Sequence, residues 1–68
     1  MKYCVIKDKG NGEMLIVSEQ ARENYIQWCM ANRTQPKSIV LRRCEGIFEA
    51  VRFVDDIKRI DNYLNNIL

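Results

Sequence analysis

The feature that most constrains the fold is a turn-forming segment near the N-terminus, between two runs of β-forming residues. The first run covers residues 2–7 (Lys-Tyr-Cys-Val-Ile-Lys) and the second covers residues 14–17 (Met-Leu-Ile-Val). Residues 8–13 between them read Asp-Lys-Gly-Asn-Gly-Glu, with two glycines that accept positive φ angles. An Asn-Gly step between such runs is typical of a tight hairpin. The sequence therefore predicts a pair of antiparallel strands here.

Both faces of these two strands are apolar. Side chains alternate between the faces of a strand, so Tyr3 and Val5 point away from Cys4 and Ile6. A strand with one solvated face would alternate apolar and polar residues more regularly. We therefore expect that either both faces are covered within the fold or one face meets another molecule.

A helix is predicted to follow directly. Ser18 fits the N-cap position, and Glu19 complements the positive end of the helix dipole. Apolar residues at helical spacing extend the helix from Glu19 to about Arg33. Tyr25 and Trp28 lie on this apolar stripe, and their large rings predict that they anchor the helix in the core.

The second half of the chain admits two interpretations, of which a second hairpin is preferred. A strand over residues 39–44 would turn at a Glu-Gly step into a fourth strand over residues 47–53. In that register Arg42 lies opposite Glu49, and apolar residues likewise face each other, which supports pairing. The segment 47–53 is also rich in residues that favour strands.

The competing interpretation is a single helix from Ile47 to the C-terminus. Apolar residues follow an uninterrupted helical period through this segment, at Ala50, Phe53, Ile57, Ile60, Leu64 and Ile67. Residues 55–68 are helical in either interpretation, since the aspartates at 55 and 56 suit a helix start. The last apolar residues, Leu64, Ile67 and Leu68, are expected to dock the C-terminus against the fold.

The preferred architecture is a small single α+β domain over residues 1–68 with the order ββαββα. It has a four-stranded antiparallel sheet with two helices packed on one face. The alternative is ββα-β-α with one long C-terminal helix from about residue 47.

The composition excludes several kinds of catalysis. No histidine is present, which removes Ser-His and Cys-His nucleophile pairs, His-ligated metals and imidazole acid–base chemistry. The cysteines at positions 4, 29 and 44 form no CxxC pair, so neither a redox motif nor a paired zinc knuckle is indicated. No set of acid, base and nucleophile stands out. We expect no catalytic residue, no cofactor, no metal and no enzyme activity.

Three unpaired cysteines, an early charge at the N-terminus and the hydropathy predict a cytoplasmic protein. The net charge is +2, from 11 basic and 9 acidic side chains, so no strong field of either sign is implied. The N-terminus meets charged residues too early for a signal peptide. No apolar run approaches the ~20 residues that span a bilayer, so no membrane partner is expected.

In the hairpin interpretation one sheet face carries arginine, an aromatic ring and aliphatic side chains. These form the candidate interaction surface: Ile39, Leu41, Arg43, Phe48 and Arg52. Exposed apolar area interleaved with arginine is typical of protein interfaces. We therefore hypothesise a noncatalytic regulator or inhibitor that binds a protein partner or forms a homodimer through its sheet.

The alternative function is a weak or accessory nucleic-acid-binding domain. Arginines beside an aromatic ring on an exposed sheet also bind single-stranded nucleic acid. The low net charge disfavours this alternative, because dedicated binders carry a stronger basic patch.

Overall fold

The computed structural model describes the backbone of residues 1–67 and the side chains of residues 1–66. Its elements are β1 (Tyr3–Asp8), β2 (Met14–Ser18), α1 (Glu19–Ala31), β3 (Ser38–Cys44) and α2 (Ile47–Ile67). β1 is the central strand of a sheet with the order β2-β1-β3 and is antiparallel to both neighbours. The predicted α+β class is confirmed, but the predicted four-stranded sheet is wrong: the described residues form three strands.

The N-terminal hairpin forms as predicted. Gly12 has a positive φ of 74°, which glycine adopts without strain. The backbone N–H of Asp8 donates to the carbonyl of Glu13 at 2.9 Å, and Gly12 donates to the carbonyl of Asp8 at the same distance. The Asp8 carboxylate accepts from the N–H groups of Gly10 and Asn11 at 2.7 and 3.1 Å, so the turn satisfies its own backbone donors.

Helix α1 begins at the predicted residue, because the Ser18 hydroxyl accepts from the N–H of Ala21 at 3.1 Å. The helix ends two residues earlier than expected, and Arg33 turns the chain in the left-handed region with a φ of 52°. The prediction that Trp28 anchors the core is wrong, because its side chain is 57% exposed. Tyr25 is half-buried and stacks on the Trp28 ring.

The preferred interpretation of residues 47–53 as a strand is wrong, and the alternative of one long helix is correct. The helix start is fixed locally, because the backbone N–H of Glu45 donates to the Glu49 carboxylate at 2.9 Å. Packing favours the helix as well. A helix turns Ala50, Phe53 and Val54 towards one side, whereas a strand would direct alternate residues to opposite sides. This grouping outweighs the β propensity of the segment.

The two helices cover opposite faces of the sheet, so the prediction that both pack on one face is also wrong. α2 lies over the face of Val5, which is buried with Cys44 and Ala50. α1 lies over the opposite face, where it borders Ile6 and Val17. The topology explains this division. β2 and β3 are parallel to each other on either side of β1, and α1, which connects them, occupies one face. α2 then covers the apolar face that remains.

The second half of α2 extends past the sheet. The molecule measures 45 × 27 × 11 Å, and the longest dimension exceeds the length of a strand, about 20 Å. A helix of 21 residues is about 31 Å long. All described side chains from Lys58 to Asn66 are exposed. The expected docking of the C-terminus is therefore wrong for Leu64, and the side chains of Ile67 and Leu68 lie outside the described residues.

Candidate interaction surfaces

The structure does not bring the five predicted surface residues onto one sheet face. Ile39 and Leu41 lie exposed on β3, an edge strand. Leu41 occupies a β-bulge, because Val40 and Arg42 on either side of it pair with consecutive residues of β1. These two aliphatic side chains keep the exposure that the sequence predicted.

The remaining three predicted residues are separated from them. Phe48 and Arg52 lie one turn apart on α2, and the Phe48 ring is 87% exposed. Arg43 lies on the face covered by α1, with its guanidinium Nη1 3.7 Å from the Cys4 sulfur. The sheet face that would stack bases between arginine and an aromatic ring is therefore not assembled.

Arg42 joins β3 to α2. Its guanidinium lies 3.2 Å from the Glu49 carboxylate and 5.5 Å from the centre of the Phe53 ring. The sequence predicted contact between Arg42 and Glu49 across a hairpin. The structure keeps this contact but makes it between a strand and a helix. Both side chains are about half exposed, so the ion pair is expected to add at most ~1 kcal/mol of stability.

The second half of α2 presents an apolar surface, here called the α2 stripe, formed by Ile57, Ile60 and Leu64. Ile57 is half-buried, whereas Ile60 and Leu64 are 55% and 44% exposed. The stripe continues the row begun by Ala50 and Phe53, with alternating spacings of three and four residues. This spacing is the one that packs helices together in coiled coils. The first part of the row covers the sheet, and the part beyond the sheet has no described neighbour.

The charges beside the α2 stripe have both signs. Asp56 and Asp61 lie within two turns of Lys58 and Arg59. Within residues 1–66, the ion pair formed is that of Arg42 with Glu49, so these four charges remain open to another molecule. A surface with both signs can match a copy of itself, because each acid on one copy can meet a base on the other.

The three cysteines lie in the buried part of the fold. Cys4, Cys29 and Cys44 are all free and buried. Burial in the apolar core raises the pKa of the Cys44 thiol above its usual 9.0, and the nearby Glu49 carboxylate acts in the same direction. Over the described part of the chain, no three Cys, Asp or Glu side chains gather as a set of metal ligands.

Comparison with known proteins gives no functional assignment. No protein-family model, curated protein or solved structure matches the chain. Neither α1 nor α2, over the residues described, combines the length and apolar character that crossing a membrane requires.

Proposed function

We propose that this protein is a noncatalytic interaction protein that associates with a second copy of itself through the α2 stripe. One observation carries the proposal: the apolar row of α2 continues past the sheet, and no described residue covers Ile60 or Leu64. The sequence suggested an interface on a sheet face. Since a helix lies over each face, the exposed half of α2 is the better candidate.

A second copy suits this surface in shape. Helices with apolar residues spaced alternately three and four apart pack side by side along that seam. Two copies related by a two-fold axis place the same residues on both sides of the interface. In an antiparallel pair whose two-fold axis passes between Arg59 and Ile60, Lys58 of one copy lies level with Asp61 of the other. Opposite charges then flank the apolar contact.

The small core of the monomer gives self-association a role in stability. In the described part of the chain, six apolar residues are buried: Cys4, Val5, Ile6, Cys29, Cys44 and Ala50. Domains of this size often gain stability by forming oligomers. The interface is small, so we expect a weak dimer with a Kd between roughly 10 μM and 1 mM.

The test is sedimentation velocity of the full chain and two variants, at concentrations from about 10 μM to about 1 mM. Ile60→Asp introduces a carboxylate into the α2 stripe. Asn62→Asp adds the same charge on the opposite side of the same helical turn and is the matched control. The mass of the wild type should rise from 8.1 kDa towards twice that value. Ile60→Asp should remain monomeric, and Asn62→Asp should behave as the wild type.

Two outcomes would contradict the proposal. A wild type that stays monomeric at every concentration would show that the α2 stripe does not mediate self-association. A dimer that both variants weaken equally would indicate an interface elsewhere, sensitive only to net charge. The role of regulator or inhibitor stays a prediction.

A further inference from the structure

Helix α1 leaves a cleft between itself and the sheet. The cleft has a volume of about 320 Å³, and its walls are mainly apolar, formed by Ile6, Leu15, Val17 and the ring of Tyr25. Cavities that bind small molecules begin at roughly this size, with apolar walls and a few polar groups. It lies on the face opposite α2, away from the α2 stripe.

The polar group that distinguishes this cleft is Arg22, which reaches from α1 into it. The arginine is only 9% exposed, and its guanidinium donates to the hydroxyl and to the backbone carbonyl of Ser38. It also lies 5.7 Å from the centre of the Tyr25 ring. No carboxylate of residues 1–66 forms an ion pair with it.

The buried guanidinium therefore has unused binding capacity. A guanidinium carries five N–H donors. In Arg22 only Nη1 and Nη2 donate within the described chain, one bond each, and both bonds go to Ser38. A buried charge without a counter-charge is unfavourable, and a bound anion would remove that penalty. Lys37 adds a second positive charge to the lining. Asp8 is the acidic residue there, and its Oδ1 is already held by the N–H groups of Gly10 and Asn11.

We propose that this cleft binds a small amphipathic carboxylate, with its hydrocarbon chain on the apolar walls and its carboxylate on Arg22. A guanidinium and a carboxylate match in planar, forked geometry and form strong charge-assisted hydrogen bonds. The apolar walls favour an alkyl chain over a compact, strongly hydrated anion. The cleft is remote from the α2 stripe, so Ile60→Asp should bind the same ligand with unchanged affinity.

The test is an NMR titration of the full chain with decanoate, observed at the methyl groups of Ile6, Leu15 and Val17. These methyl signals should shift saturably. Decanol has the same chain without the charge and should bind at least about tenfold more weakly. Arg22→Gln should weaken decanoate binding by at least about tenfold as well. Arg59→Gln, an exposed arginine on α2, is the matched control and should bind as the wild type does.

A second variant keeps the test decisive if Arg22→Gln does not fold. Ala21→Phe fills the same cleft without changing a charge and should abolish the methyl shifts. Three results would overturn the proposal. Decanol could bind as tightly as decanoate, the shifts could appear at Ile60 and Leu64 instead, or a folded Ala21→Phe could bind decanoate with unchanged affinity.

Discussion

Replacing Val5 by alanine tests whether the N-terminal hairpin and α2 share one core. Val5 is fully buried in the central strand, where it packs with Cys44 and Ala50. The substitution removes two methyl groups, worth about 1.6 kcal/mol of transfer free energy at ~0.8 kcal/mol each. A strand on either side and a helix above restrict collapse, so the remaining cavity should raise the loss to about 2–3 kcal/mol.

Such a loss is large for a domain of 68 residues, whose free energy of unfolding is expected to be about 3–10 kcal/mol. The assay is urea denaturation followed by far-ultraviolet circular dichroism. Tryptophan fluorescence is a poor reporter here, because Trp28 is already exposed in the folded state.

Val51→Ala is the matched control, because it removes the same atoms from an exposed position on α2. Its free energy of unfolding should change by less than about 0.5 kcal/mol, since alanine favours helix more than valine does. In the hairpin interpretation Val51 would face Val40, and its truncation would be destabilising. A loss below about 1 kcal/mol for Val5→Ala, or equal losses for both variants, would refute the reasoning.

Three further predictions concern single interactions. A double-mutant cycle on Arg42 and Glu49 in urea denaturation should give a coupling below about 1 kcal/mol that shrinks with added salt; a salt-independent coupling above about 2 kcal/mol would contradict the exposed geometry. Burial raises the pKa of Cys44 above 9.0, so the unfolded chain loses that proton first. The contribution of this thiol to the free energy of unfolding should be constant below pH 9.0 and fall above it. Cys44→Ala should remove that part of the decline in denaturation curves measured at several pH values, and an unaltered pH profile would argue against it. Ser18→Ala should lower the free energy of unfolding by about 1 kcal/mol through loss of the N-cap, and an unchanged thermal midpoint would show that the cap contributes nothing.

The first hairpin and the start of α1 were predictable because their signals are local. The turn depends on the backbone freedom of Gly12, and the start of α1 depends on a hydroxyl three residues from the N–H group that it accepts. Both effects operate within a few residues, so tertiary packing has little power to change them.

Residues 47–53 were not predictable because the segment satisfies two periodicities at once. Its β-forming residues favour a strand, while Ala50 and Phe53 begin a helical row that continues to Leu64. Packing against the sheet favours the helix over the strand. The Val5 face of the sheet is not covered by α1, and it becomes buried when residues 47–53 are helical. That requirement involves residues more than 40 positions apart.

The candidate sites were predictable only in part. The sequence shows an apolar row at Ile57, Ile60 and Leu64. The exposure of the end of this row depends on how far α2 extends beyond the sheet. The buried Arg22 gave no signal in the sequence, because an arginine on a helix is usually exposed. Its burial follows from the path of α1 across the sheet.

The measurement that tests self-association most directly is an isotope-filtered NOE experiment on a mixture of methyl-labelled and unlabelled chains at about 1 mM, near the weak limit of the expected affinity. Contacts between copies should appear at the methyl groups of Ile57, Ile60 and Leu64 and should disappear in Ile60→Asp. Intermolecular contacts at Ile39 and Leu41 would move the interface to the edge of the sheet. Contacts at the sheet edge, or the absence of any intermolecular contact, would contradict the proposal that two copies meet through α2.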